Sequence, residues 1–151
     1  MNIHPVIKTR ENFINLINDL SLEEVNRIPP GFNNNIAWNF GHIIVTQQLL
    51  CYRLAGQELL IEDELVQKYR KGTKPEGPIS AKELEHLKIL SLSTLESFKN
   101  DLMIGIFKEF TEYSTSFGIT VKSIHDAVEF NGLHEAMHLG YALAQRRALK
   151  G

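Results

Sequence analysis

The sequence predicts an all-α protein, a four-helix bundle in a single domain over residues 1–151. Apolar residues recur at three- and four-residue steps along four long stretches. Glycine and proline stand between those stretches more than inside them. Asparagine or serine, good helix N-caps, precede the later ones.

The first stretch runs from about Pro5 to Leu20. Val6, Phe13, Leu16, Ile17 and Leu20 make its apolar face, and Pro5 suits a first helical turn. Ser21 followed by Glu24 has the form of a capping box, opening a short helix that Pro29-Pro30-Gly31 ends. The second long helix starts near Asn34 or Asn35 and reaches about Ala55, with Gly56 as its stop. Gly41 lies inside it at a cost of about 1 kcal/mol against alanine, a position where a neighbouring helix or a ligand can come close.

Periodicity fades from Gln57 to Ser80, and the polar, breaker-rich run Lys68–Pro78 reads as a long interhelix loop. The third helix begins after Ser80, with Leu84, Leu87, Leu95, Phe98 and Leu102 on one stripe. Phe107 to Ile119 mixes aromatic and β-branched residues around Gly118 and leaves helix and strand both open. The fourth helix starts after Thr120 or Ser123 and runs to about Leu149. Ala127, Asn131, His134, His138, Tyr141 and Gln145 lie along one face of it.

Composition narrows the function classes. Among 151 residues, 43% are hydrophobic and 23% charged, and 16 basic against 18 acidic residues give a formal net charge of -2. No long basic run points to nucleic acid. Cys51 is the only cysteine, so no internal disulfide forms, which fits a reducing cytoplasm. No apolar run approaches the ~20 residues of a membrane span, and the first residues lack a signal peptide's pattern.

His134 and His138 carry most of the chemical information. Four residues on a helix turn the side chain by roughly 400°, so both imidazoles return to one face about 6 Å apart along the axis, a spacing that suits one metal ion. The string His134-Glu135-Ala136-Met137-His138 also reads as the zinc-peptidase signature. Peptidases of that type take a third ligand downstream, and Leu139 to Gly151 contains no His, Asp, Glu or Cys. The third ligand therefore lies upstream.

His42, set among Ile36, Ala37, Trp38, Phe40, Ile43 and Ile44, is the best candidate, because a buried imidazole needs a partner. His125 is nine residues before His134 and faces the opposite side. His4 lies in the terminus, His86 lies among charged residues, and Cys51 reads as a small core residue. Glu135 is the candidate general base, against the alternative of an exposed helix carboxylate. Asn131 and Tyr141, one turn either side of the histidine pair, are candidates for substrate contact, against simple packing. Neutral imidazoles suit zinc or nickel.

The segments Asn34-Asn35-Ile36-Ala37-Trp38-Asn39-Phe40-Gly41-His42-Ile43 and Phe130-Asn131-Gly132-Leu133-His134-Glu135-Ala136-Met137-His138-Leu139-Gly140 together resemble the DinB-like superfamily. The resemblance implies a four-helix bundle, often dimeric, that holds zinc or nickel through one histidine of the second helix and two of the fourth. His42, His134 and His138 match those positions. It also implies relatives that are bacillithiol-dependent S-transferases or mycothiol-dependent isomerases, and so a low-molecular-weight thiol as a candidate cosubstrate. Many relatives carry Arg-Gly-Gln after the last metal histidine; here Leu139-Gly140-Tyr141 matches only at Gly140. The expected function is a metal-dependent thiol transferase or hydrolase acting on a small molecule. The alternative is a non-catalytic, stress-related or binding bundle with a structural or vestigial metal.

Overall fold

A computed structural model describes residues 1–151. Four long helices form the body: α1 (His4–Asn18), α3 (Ile36–Cys51), α5 (Ala81–Ile104) and α6 (Ile124–Leu149). α2 (Leu22–Asn26) and α4 (Asp63–Tyr69) are short, and β1 (Tyr113–Ser114) pairs antiparallel with β2 (Thr120–Val121). Helix α6 packs on α1 and α3, and α5 packs on the same two, so the long helices close a four-membered bundle.

The caps fall where the side chains demand. Asn35 accepts from the Trp38 amide at 2.8 Å, Ser80 from Glu83 at 3.1 Å and Ser123 from Asp126 at 3.1 Å. Ser21 and Glu24 complete the capping box of α2. Helix α3 stops at Cys51, short of the expected Ala55; a 3-10 turn over Arg53–Ala55 follows, and Gly56 ends it in the left-handed region at φ 68°.

The stretch from Gln57 to Ser80, where periodicity fades, contains α4, whose Leu65, Val66 and Tyr69 are buried and which packs on α3; the expected Lys68–Pro78 loop starts two residues later, after Tyr69. Seven residues are too few to display a helical period, so periodicity does not reveal the element. The ambiguous Phe107–Ile119 stretch supplies β1 and the tip of a small hairpin.

The core divides into two apolar clusters, one around Phe13, Ile44, Leu87 and Ala142, the other around Val6, Leu50, Leu95 and Phe130. On every long helix a buried polar residue lies between the two: Arg10 on α1, Gln47 on α3, Ser91 on α5 and Glu135 on α6. The guanidinium of Arg10 donates to both Glu135 carboxylate oxygens, at 3.0 and 2.7 Å, and to the Ser91 carbonyl and Thr94 hydroxyl. Asn131 donates to Glu135 at 3.0 Å. A polar layer thus crosses the bundle and ties α1, α5 and α6 together. No helix is long and apolar enough to cross a membrane.

Candidate metal centre

Helix α3 brings His42, and α6 brings His134 and His138, to one place. One ring nitrogen from each lies within 4.8 Å of the other two. Ring centroids are 5.1 Å apart for His42 and His134, 4.6 Å for His42 and His138, and 4.5 Å for His134 and His138. The i,i+4 spacing on α6 and the close packing of α3 against it produce this cluster directly.

Two of the three outer ring edges are oriented by the protein. The Nδ1 of His42 lies 2.7 Å from the Tyr69 carbonyl oxygen. A carbonyl only accepts, so Nδ1 carries the proton and Nε2 keeps its lone pair. Trp38 stacks on the same ring at 4.6 Å. The Nδ1 of His138 lies 2.8 Å from Asn39 Oδ1. The Asn39 amide nitrogen donates to Asn34 Oδ1, the Asn35 carbonyl and Gln145 Oε1, which fixes its oxygen towards His138. Again Nδ1 donates and Nε2 is left free. His134 has a buried Nδ1 with no protein partner. Such outer partners are what hold metal-binding imidazoles in the correct tautomer.

Electrostatics keep the rings neutral. Burial lowers the His42 pKa against the opposing pull of the Tyr69 carbonyl, and the charge of Lys71 lowers it further. Burial, then the neighbouring His138 and His42, push His134 down to about 3. Burial and His42 push His138 down to about 4. Three neutral imidazoles, two with committed outer nitrogens and one with a buried nitrogen lacking a partner, fit a borderline divalent ion.

The sign of the pH effect follows. In metal-free protein His134 and His138 have folded-state pKa values far below the ~6.5 of an unfolded histidine. Between these limits the unfolded chain binds more protons, so stability is full above about pH 6.5 and falls as pH drops towards 4 and 3. Urea midpoints of chelated protein at pH 7 and pH 5 will show the loss, and a His134→Phe variant will show less of it.

Gly41 lets α4 reach the site. A Cβ at this position would meet the Tyr69 ring at 2.5 Å. Gly41→Ala is expected to cost about 1–3 kcal/mol from the clash, offset in part by about 1 kcal/mol of helix propensity. It should also weaken metal binding about tenfold by moving the Tyr69 carbonyl from His42. Urea denaturation and a competitive metal titration check the two effects.

The other expected site residues fall elsewhere. Glu135, expected as a base beside the metal or as an exposed carboxylate, is neither; it is fully buried in the ion pair with Arg10. One residue beyond His134 is a rotation of about 100°, which turns its side chain into the bundle. Asn131 is buried and bonded to Glu135, so it belongs to the polar layer. Tyr141 is half-exposed and packs edge-on against Phe32 at 5.2 Å. Cys51 is buried, with its thiol pKa pushed up by burial and by the charge of Glu135, so it stays a thiol. His125 and His86 are exposed and outside the cluster.

A cavity of about 280 Å³ opens on His42 and His134. Leu49, Leu50, Leu54 and Phe130 form its apolar wall, and the hairpin contributes Tyr113, Thr115 and Ser116. Arg53 and Lys71 also line it, and no carboxylate does. Sequence alone does not reveal Tyr69, Arg53 and Lys71 as parts of the site. Gly41, whose missing Cβ makes room for the Tyr69 ring, is the only trace of the first, and the two cations leave none.

The DinB superfamily profile matches residues 6–142. Among solved structures, a conserved protein from Enterococcus faecalis superposes with a TM-score of 0.69 over 97% of this chain and 94% of that one, at 14% identity, a likeness of fold. Comparison with curated proteins finds no match. The profile spans all four long helices up to Ala142 and includes all three clustered histidines, and the chain belongs to the DinB superfamily.

Proposed function

We propose that the protein holds a divalent metal, zinc or nickel, through His42, His134 and His138 and transfers a low-molecular-weight thiol to an electrophilic small molecule. The observation that carries this reading is the cluster of three neutral imidazoles, two of them tethered at their outer nitrogens, beside an apolar cavity. A metal bound there supplies Lewis acidity, which lowers the pKa of a thiol or a water. The chain's residues do the rest. Tyr69 and Asn39 hold two imidazoles in the ligating tautomer. Leu49, Leu50 and Phe130 offer an apolar wall to the electrophile and limit water. In the transfer the thiol releases its proton to solvent through the open mouth of the cavity, the thiolate's carbon–sulfur bond forms, and the leaving group departs with the electron pair of the carbon bond that breaks.

Thiol transfer is favoured over hydrolysis because no carboxylate lines the cavity to act as base for water, and Glu135 is committed to Arg10. The thiol is a cosubstrate, because the only cysteine is buried and protonated. The commitment of Glu135 also favours a second reading, a bundle with a structural metal and no turnover.

The test uses metal-loaded protein with bacillithiol, glutathione or cysteine and an aryl chloride as electrophile. Thiol-dependent product, lost in His134→Ala, supports transfer. Hydrolysis of nitrophenyl esters without thiol contradicts it, and no turnover in either assay favours the structural metal. We also propose a homodimer. Leu133, Met137 and Tyr141 stand exposed along α6 in support of it, and light scattering on the purified protein reads the state.

A further inference from the structure

We infer that the cavity beside the histidines recognises small molecules carrying a carboxylate, with Arg53 and Lys71 holding the anion and the leucine wall holding an apolar body. The inference deepens the functional reading above and rests on it only for where the reaction occurs.

Among the residues lining this cavity the formal charges are all positive: Arg53 and Lys71, with no Asp or Glu opposite. The whole chain is slightly acidic at -2, so the local excess of positive charge is not a reflection of composition. Neither cation forms an ion pair within the chain, so no carboxylate of the protein competes for them; most of the chain's cations are likewise unpaired, and what sets these two apart is that they line the cavity. Both sit at ends of elements that frame the histidines. Arg53 begins the 3-10 turn directly after α3, and Lys71 lies two residues past Tyr69, whose carbonyl orients His42.

Their placement on an apolar concavity matters more than their number. Low-dielectric walls concentrate the field of nearby charges, and a concave site of this kind raises the local concentration of an oppositely charged ligand. A guanidinium also matches a carboxylate with paired hydrogen bonds, which gives orientation as well as attraction. Leu49, Leu54 and Phe130 line the same cavity as the cations and His134. A ligand that satisfies both parts therefore has a carboxylate at one end and a few apolar carbons before its reacting atom. A cavity of about 280 Å³ sets its scale at that of a small metabolite.

The test compares 4-phenylbutanoate with 4-phenylbutanol, which share an apolar body and differ in charge. Binding is followed by NMR titration of purified protein, loaded with zinc and after chelation. Wild type is compared with Arg53→Gln/Lys71→Gln and with Lys99→Gln as a surface-charge control. The carboxylate is expected to bind about tenfold tighter than the alcohol. The preference should survive chelation and Lys99→Gln and should fall below about twofold in the double variant. Equal binding of the two probes overturns the inference, as does no measurable binding of the carboxylate or a preference unchanged in the double variant. A preference that disappears on chelation but persists in the zinc-loaded double variant means that the metal itself takes the carboxylate; the inference then fails while the metal reading stands. A protein that takes up no zinc yet shows a preference dependent on Arg53 and Lys71 supports the inference while the metal reading fails.

Discussion

Arg10→Met is expected to destabilise the protein by about 3–5 kcal/mol, because it leaves the Glu135 carboxylate buried without its counter-charge. Both side chains are fully buried, and they meet through two hydrogen bonds. Substituting one partner removes the attraction but not the desolvation of the other, and Asn131 alone does not compensate a full charge. Arg10→Met/Glu135→Leu, which removes both charges, is expected to recover most of the loss, since an apolar pair of similar volume is often neutral or stabilising. Urea denaturation of the three proteins measures the difference. The same series addresses the role of Glu135. If the double variant binds metal in the wild-type ratio, Glu135 acts in the scaffold and not at the metal. The loss of a base beside the histidines would instead reduce turnover while leaving stability untouched.

The second large effect is on the metal. His134→Ala and His138→Ala are each expected to abolish stoichiometric binding, since two imidazoles leave a site short of the three protein ligands that catalytic zinc centres use. His125→Ala is expected to leave binding unchanged, because that residue is exposed on another face of α6. Equilibrium dialysis with zinc reads all three. The outer partners grade the effect: Asn39→Leu removes the acceptor of the His138 Nδ1 proton and should reduce affinity about 10–100-fold without abolishing it.

These expectations divide by how far apart in sequence their causes lie. The pairing of His134 with His138 is local, written in one helical turn, and needs no tertiary knowledge. His42 is legible from its apolar setting, because a buried imidazole requires a partner and the α6 pair supplies one. The four long helices, and the Asn35, Ser80 and Ser123 caps of α3, α5 and α6, are legible for the same reason: period and cap chemistry act within a few residues. Glu135 is misread from sequence because its face depends on Arg10, 125 residues away. The motif it shares with zinc peptidases specifies neighbours along the chain and says nothing of what packs against the next ~100° of helix. Asn131 is misread with it. Helix α4 escapes a periodicity argument because it is so short, yet its Tyr69 carbonyl orients His42 and its Tyr69 ring fills the space over Gly41. That glycine is the one visible trace of the contact.

The polar layer and the metal cluster lie on different faces of α6. His134 belongs to one and Glu135 to the other. The ion pair therefore anchors the turn that presents His134, while Asn39 with Gln145 anchors the turn beyond His138. Rigid support on both sides of the pair suits a centre whose ligands must keep fixed geometry.

Whether three histidines from two helices hold one metal is tested most directly by elemental mass spectrometry of purified, tag-free protein beside His42→Ala. About one zinc or nickel per chain in the wild type, lost in the variant, is the predicted result. No metal in the wild type even after reloading with zinc and nickel, or a variant that keeps the full complement, would contradict it.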